Sequence, residues 1–202
     1  MKRPIAVLAL CAVFGSACAP AAATAQDQPE PAPALALAAM AGQRVPVLPI
    51  TLLMADAPAD EFLPADRVAR LHWADSLVAE VLLGRGPEVT WVLPEELRRA
   101  ARRAPGTVTD PDRMGQALMR ASGIERVPDP LRGYLRGLTA MTDSRLVFIP
   151  AAVRLAPDTT GGVRAEVSLV VADSRNGAVV YRSRPAAVGP TAAAALTAAI
   201  VQ

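Results

Sequence analysis

Val163-Arg-Ala-Glu-Val-Ser-Leu-Val-Val171 constrains this chain more than any other segment. Its alternation sets Val163, Ala165, Val167, Leu169 and Val171 on one face of an extended strand, and such a face must be buried against a second layer. Asp173-Ser-Arg-Asn-Gly177 follows and contains the Asn-Gly turn signal, and Ala178-Val-Val-Tyr-Arg182 reads as the returning strand. The last two strands are therefore predicted to be antiparallel neighbours. Beyond them, Thr191 to Val201 is an alanine-rich helix with almost no polar face, which has to pack on something.

Upstream, strands and helices alternate. Arg44 to Met54 is aliphatic but broken by Pro46 and Pro49, which lack backbone donors, so this strand belongs at a sheet edge or ends near Pro49. Pro64 opens a helix whose apolar stripe is Val68, Leu71, Leu77, Val78, Val81 and Leu82, and Gly84 and Gly86 stop it. Val89 to Leu93 is a short strand, and Pro94 begins a second helix reaching about Arg103. Asp110-Pro111 and Asp129-Pro130 each read as an aspartate cap with proline at the first helical position. The helix after the first carries Met114, Leu118 and Met119; the other carries Leu131, Tyr134, Leu135, Leu138 and Met141. Arg145 to Ile149 is a strand continuing past Pro150 to Leu155. The fold class expected is α/β: a single domain with one mixed sheet, mostly of five strands near 44–53, 89–93, 145–155, 163–172 and 178–183. Helices pack on that sheet, and the hairpin is followed by the short alanine-rich helix.

The amino terminus reads as a targeting segment. Met1-Lys2-Arg3 is a basic start, Ile5 to Phe14 is apolar but far short of the roughly 20 residues of a spanning helix, and Ala23-Thr24-Ala25 fits a cleavage site. Residues 1–25 are expected to be a bacterial signal peptide cut between Ala25 and Gln26. An alternative makes Cys18 a lipid-carrying residue, because Gly15-Ser16-Ala17-Cys18 resembles the lipoprotein cleavage box. Residues 26–41, rich in proline and alanine, read as a linker, and 42–202 as the domain. The expected location is periplasmic or extracellular, with an outer-membrane anchor if Cys18 is lipidated.

Composition then excludes several chemistries. Lys2 is the only lysine, Cys11 and Cys18 the only cysteines and His72 the only histidine. Cleavage after Ala25 would leave 19 basic and 19 acidic residues, with neither lysine nor cysteine. Schiff-base and P-loop lysines, thiol nucleophiles, thiolate metal sites and disulfides all drop out. The balanced charge argues against nucleic acid as a partner. His72 could recruit Ser76 four residues on, but a helical serine lacks the strained turn that presents a nucleophilic hydroxyl. Asp110-Pro-Asp112 lacks the glycine and glutamate of a calcium loop and is better read as a cap. Glu61, Asp66 and Asp75 form no evident acid–base pair. Trp73, Trp91, Tyr134, Phe148 and Tyr181 read as packing residues, too few for a stacking platform. No cofactor is expected.

Pro94-Glu-Glu-Leu-Arg-Arg-Ala-Ala-Arg-Arg103 is the most pronounced surface pattern. Acids in its first turn and arginines in its last complement the helix dipole, and Glu95 to Arg99 is a favourable i,i+4 pair. It reads chiefly as a self-stabilised solvated helix, with Arg98, Arg99, Arg102 and Arg103 as a candidate face for an anionic partner.

Three segments carry a family resemblance. Val45-Pro-Val-Leu-Pro49 is similar to a first strand ending in a "V-L-P" step. Leu138 to Val147 looks like a helix end and strand reading "l-a-x-x-x-g-a-d-x-v-l". Leu169 to Tyr181 is similar to an "l-x-l-x-D-x-x-t-G-x-v-v" hairpin. Together they resemble an envelope α/β domain shared by the amino-terminal domain of TolB, the curli-secretion lipoprotein CsgG and the lipoprotein activators of penicillin-binding proteins. The resemblance spans about 42–202 and rests on fold-forming residues. The stretch between Arg103 and Asp129 is longer and more helical than that family's second helix, and no extra amphipathic strand pair of the kind the curli pore uses is present. With an export signal and no catalytic constellation, the expectation is a non-catalytic, exported envelope module acting through contacts with another envelope protein, with membrane contact only through a lipidated Cys18. A lipid-anchored assembly subunit is the alternative, and a hydrolase using His72 the second. Neither partner nor oligomeric state follows from the sequence.

Overall fold

The computed structural model describes residues 40–202 except 60, 62 and 160. The expected cleavage site at Ala25 and Gln26, and Cys18, lie outside these residues. Within them the chain runs β1 (Arg44–Pro46), β2 (Leu53–Ala55), α1 (Arg67–Arg85), β3 (Thr90–Val92), α2 (Pro94–Arg103), two 3-10 turns (Pro111–Arg113 and Gln116–Arg120), α3 (Leu131–Thr142), β4 (Leu146–Pro157), β5 (Val163–Asp173), β6 (Val179–Ser183), β7 (Ala186–Gly189) and α4 (Ala192–Val201).

The mixed five-stranded sheet is present, with strand order β2-β4-β5-β6 and β7 also paired to β5. β2 runs parallel to β4, and the remaining pairs are antiparallel. The expected β5–β6 hairpin forms. Its loop is closed by the Gly177 N–H donating to the Asp173 carbonyl at 2.8 Å, with Gly177 at φ +73°, a left-handed backbone that suits glycine.

Strand membership differs from the expectation in two places. The first strand does not run continuously from 44 to 53: β1 pairs with β3 in a separate parallel ribbon, and the chain returns to the large sheet only at β2. Between them the Val47 N–H donates to Val92 and the Leu48 N–H to Phe148, each at 2.9 Å, tying the ribbon to β4. The Ile50 N–H leaves the ladder altogether and donates to the Asp75 carboxylate at 2.7 Å. With Pro46 and Pro49 supplying no donor, the backbone here has too few partners for an unbroken strand. β7 was not expected; it lies between hairpin and helix because β5 is long enough to pair with β6 at one end and β7 at the other.

Helix boundaries also shift. α1 starts after Asp66, whose carboxylate accepts from the Ala69 N–H at 2.8 Å, and not at Pro64. Its buried face is Ala74, Asp75, Val78, Val81 and Leu82; Leu71 and Leu77 are half-buried, and Val68 is exposed. The helix expected after Asp110 is two 3-10 turns separated by Gly115 at φ +78°. Asp110 does cap, accepting from the Asp112 N–H at 3.1 Å. Asp129 does not cap: α3 begins after Pro130 without a side-chain cap, and Asp129 pairs with Arg132 at 2.8 Å instead.

Two apolar cores sandwich the sheet. On one face α1 and α4 bury Ala74, Val78, Leu82, Ala195, Leu196 and Ala199 against Val153, Leu155, Val167, Leu169 and Val171. On the other, Leu97 of α2, Leu131, Leu135 and Leu138 of α3, and Met114 and Met119 cover Val147, Ile149, Ala151, Val170 and Ala172. Trp91 and Phe148 meet edge-to-face at 5.9 Å in the first core, and the Trp91 indole donates to the Gly86 carbonyl at 2.9 Å.

A register shift between Pro150 and Ala152 reverses the facing of β4 halfway along. Ala152 and Arg154 thereby share the second face with Glu166 and Ser168 of β5. The second 3-10 turn packs against that half of the face, where Ala152 and Ser168 are buried.

Candidate functional site

The sequence offered α2 as a basic surface, but its arginines separate. Arg99, Arg102 and Arg103 are exposed, as expected. Arg98 is a correction: it is buried, 6% exposed, and forms the centre of an ionic cluster. Its guanidinium reaches Asp75 Oδ2 at 2.7 Å and grips both Asp112 oxygens, through Nε at 2.9 Å and Nη2 at 2.8 Å. The expected Glu95–Arg99 pair is replaced by Glu95–Arg102 at 3.1 Å, solvent-exposed at both ends. A single residue, Arg98, thus joins α2 to α1, to the first 3-10 turn and, through Asp75, to the break after Pro49.

Burial raises the Asp75 carboxyl to about 6, against the opposing pull of the Ile50 N–H and Arg98. For Arg98 burial acts downward, but the bonds from Asp112 and Asp75 outweigh it and hold the guanidinium above its ordinary range. These groups hold one another. Asp112 retains some exposure, with 39% of its side chain accessible, yet both oxygens are occupied.

Nothing assembles around His72. It is exposed, the Ser76 hydroxyl donates to the Trp73 carbonyl at 2.7 Å, and Asp75 is committed to Arg98. Glu61 and Asp66 are exposed, Asp66 serving as the α1 cap. Among the described residues no group of three or more His, Cys, Asp or Glu side chains is placed to hold a metal ion. No helix among them is long and apolar enough to cross a membrane.

A groove of about 480 Å³ lies between this half of the sheet and the end of the second 3-10 turn. Its floor is Ala152 and Arg154 of β4 with Glu166 and Ser168 of β5; Leu118, Arg120 and Ala121 form one wall; Met54 of β2 and Arg184, just after β6, complete the rim. Three guanidinium groups therefore face one carboxylate. Arg120 and Arg184 are exposed, and the Arg184 guanidinium donates to the Arg120 carbonyl, which draws the two together. Arg154 stands opposite Glu166 in the β4–β5 register but reaches Asp56 at 3.2 Å. Glu166 and the Ser168 hydroxyl have no hydrogen-bond or ionic partner among the described residues. Burial and then the nearby Arg184 charge hold Arg182, beside this rim, below the ordinary guanidinium range. Cations crowd this end of the molecule.

The sequence did not single out this groove. Arg154, Glu166 and Arg184 sit in two strands and a loop, and the register shift that brings Arg154 to the same face as Glu166 has no mark in the local pattern.

The chain is a single α/β domain with a mixed five-stranded sheet between two cores and a short helix after its carboxy-terminal strands, the fold class expected from the sequence. No protein-family model matches the chain, and no curated protein matches it. Among solved structures the chain is similar to the LpoB carboxy-terminal domain from Salmonella enterica, at 11% identity and a TM-score of 0.41, over 73% of this chain and 83% of that one. It is similar to the PelC dodecamer from Paraburkholderia phytofirmans, at 18% identity and a TM-score of 0.40, over 79% and 84%. The lipoprotein GNA1162 from Neisseria meningitidis follows at 12% and 0.34, over 73% and 81%. The likeness is one of chain path, and nothing about activity rests on it.

Proposed function

We propose that this chain is an exported, non-catalytic accessory module of the bacterial cell envelope that acts by binding another protein. The observation that carries this reading is the arginine-lined groove beside the second 3-10 turn, where three exposed guanidinium groups surround one carboxylate, Glu166, that has no protein partner among the described residues. A binding site needs unmatched polar groups beside accessible apolar surface, and Met54, 42% exposed, supplies the latter. The leader-like residues 1–25 support export with cleavage after Ala25; a lipidated Cys18 is the alternative state of the same module.

A photo-crosslinking amino acid at Met54, with Arg99 as the control position, tests the reading in cells expressing the full chain. A discrete protein adduct from position 54, retained in His72→Ala, is expected. Absence of any protein adduct from either position, together with loss of the cellular phenotype in a folded His72→Ala protein, would overturn it in favour of the hydrolase alternative. Mass spectrometry of the exported protein separates a terminus at Gln26 from a diacylglyceryl Cys18.

A further inference from the structure

We infer that the groove bounded by Met54, Leu118, Arg120, Arg154, Glu166 and Arg184 takes an extended, acidic segment of a partner polypeptide, in which carboxylate side chains alternate with apolar ones. The inference rests on the protein-binding reading and specifies its chemistry.

The groove sets three conditions on an occupant. Arg120, Arg154 and Arg184 are exposed and each makes a single bond among the described residues, to the Ala117 carbonyl at 3.0 Å, to Asp56 and to the Arg120 carbonyl, so their remaining donors are open to an acceptor, and the planar fork of guanidinium fits a carboxylate through two parallel bonds. Arg154 has only the exposed, solvent-screened Asp56 contact to exchange for it. Glu166 and Ser168, in the floor and without protein partners among the described residues, are free to accept from an occupant. Met54, Leu118 and Ala152 require apolar surface.

A polypeptide meets all three at once: side-chain carboxylates for the arginines, a backbone N–H for Glu166, an aliphatic side chain against Met54 and Leu118. A polyphosphate offers acceptors alone and meets Glu166 in repulsion. A lipid headgroup layer is flat and would need a convex basic face, whereas these arginines line a concavity. The volume, about 480 Å³, is in the range of roughly 300–1,000 Å³ found for small-ligand sites, so the groove takes a short stretch of the segment. Same-face side chains of an extended peptide recur about every 7 Å, so acidic residues at alternate positions share one face and can reach successive arginines.

Fluorescence anisotropy with the exported chain and a fluorescein-labelled acetyl-Leu-Asp-Leu-Glu-Leu-Asp-Leu-amide peptide tests this. Its control is the same peptide with asparagine and glutamine in place of the acids. The acidic peptide should bind at least about tenfold more tightly than the amide version at roughly 0.1 M salt, weakening as salt rises. Arg154→Gln combined with Arg184→Gln, both exposed and away from the core, should remove about tenfold of that affinity with the circular dichroism spectrum unchanged. Arg99→Gln with Arg103→Gln, on α2, should leave it unaltered. Equal binding of the two peptides, or an acidic-peptide affinity indifferent to Arg154 and Arg184, overturns the inference. So does binding of polyphosphate or phosphatidylglycerol vesicles that depends on those arginines while the acidic peptide stays unbound. If the peptide fails but protein adducts from position 54 persist, the acidic-segment inference falls and the protein-binding reading stands. If adducts vanish from both positions and a folded His72→Ala protein loses the cellular phenotype, the wider reading falls first.

Discussion

Arg98 of α2 and Asp75 of α1 meet at 2.7 Å with 7% of each side chain exposed, and this contact organises one end of the fold. Asp75 also takes the Ile50 N–H that the broken first strand leaves over, and Arg98 also holds Asp112. Two helices, a 3-10 turn and a strand break are therefore fixed relative to one another by a single guanidinium. Charge at such a site is costly to unpair.

Arg98→Met should lower unfolding free energy by about 3–5 kcal/mol, the range for stranding one partner of a buried ion pair. Adding Asp75→Asn removes the stranded charge while the amide oxygen still accepts from Ile50, so the double variant should be more stable than Arg98→Met alone. Urea unfolding of both proteins reads the difference. A double variant no more stable than Arg98→Met would mean that Arg98 acts through packing and not through charge.

The pH dependence follows from the same carboxyl. Asp75 titrates near 6 in the folded chain against an ordinary value of 3.8. Between those values the folded protein holds a proton that the unfolded chain has released. Its stabilising contribution is therefore complete below about 4 and is lost as pH rises through about 6. Relative to Asp75→Asn, which cannot titrate, wild-type stability should fall by about 3 kcal/mol between pH 4 and pH 7, from 1.36 kcal/mol per unit. A flat difference between the two unfolding curves would place Asp75 at its unperturbed value.

How far these features were legible from the sequence depends on how local they are. The alternation from Val163 to Val171 was readable because one face of β5 is buried without interruption, and those five side chains do lie in the first core or against it. The alanine-rich α4 was readable as a packed helix for the same reason. Arg98 was not, since Pro94 to Arg103 has the charge order of a solvated helix, and Leu97 and Arg98 are adjacent members of its buried edge. One signal could have found it. Asp75 lies three residues before Val78 and seven before Leu82, inside the apolar stripe of α1, and a buried carboxylate there demands a cation. The groove had no such signal, because it depends on the register shift after Pro150 and on where the second 3-10 turn ends.

Gln116, the first residue of the second 3-10 turn, is wholly buried, and its amide nitrogen donates to the Pro49 and Pro111 carbonyls at 2.9 Å each, while its oxygen has no partner. Gln116→Met should cost about 2 kcal/mol, because the two carbonyls lose their donor while the orphaned oxygen disappears as a partial offset. Gln116→Glu sets a carboxylate against those same carbonyls and should cost more at pH 7 than at pH 4. Equal costs at the two pH values would mean that the replaced side chain has swung out to solvent.

Two glycines should respond to alanine with opposite signs, and the pair tests how α4 is seated. At Gly189, the end of β7, an added Cβ would lie 2.6 Å from the Ala195 backbone nitrogen and 3.0 Å from the Ala194 carbonyl carbon. Both contacts are with the helix backbone and not with a side chain that could rotate away. Ala195 and Ala199 are themselves fully buried, so α4 can only be pushed bodily off the sheet. Gly189→Ala should therefore destabilise by about 1–3 kcal/mol, the usual cost of overpacking, and should expose Leu196 to solvent. At Gly137, on the exposed side of α3, a Cβ would meet nothing within 4 Å, and the helical backbone suits alanine better than glycine. Gly137→Ala should stabilise by about 0.5–1 kcal/mol. Thermal melts of the two variants should move in opposite directions from wild type. If Gly189→Ala leaves the melting temperature unchanged, α4 is not held against β7 at the spacing seen here.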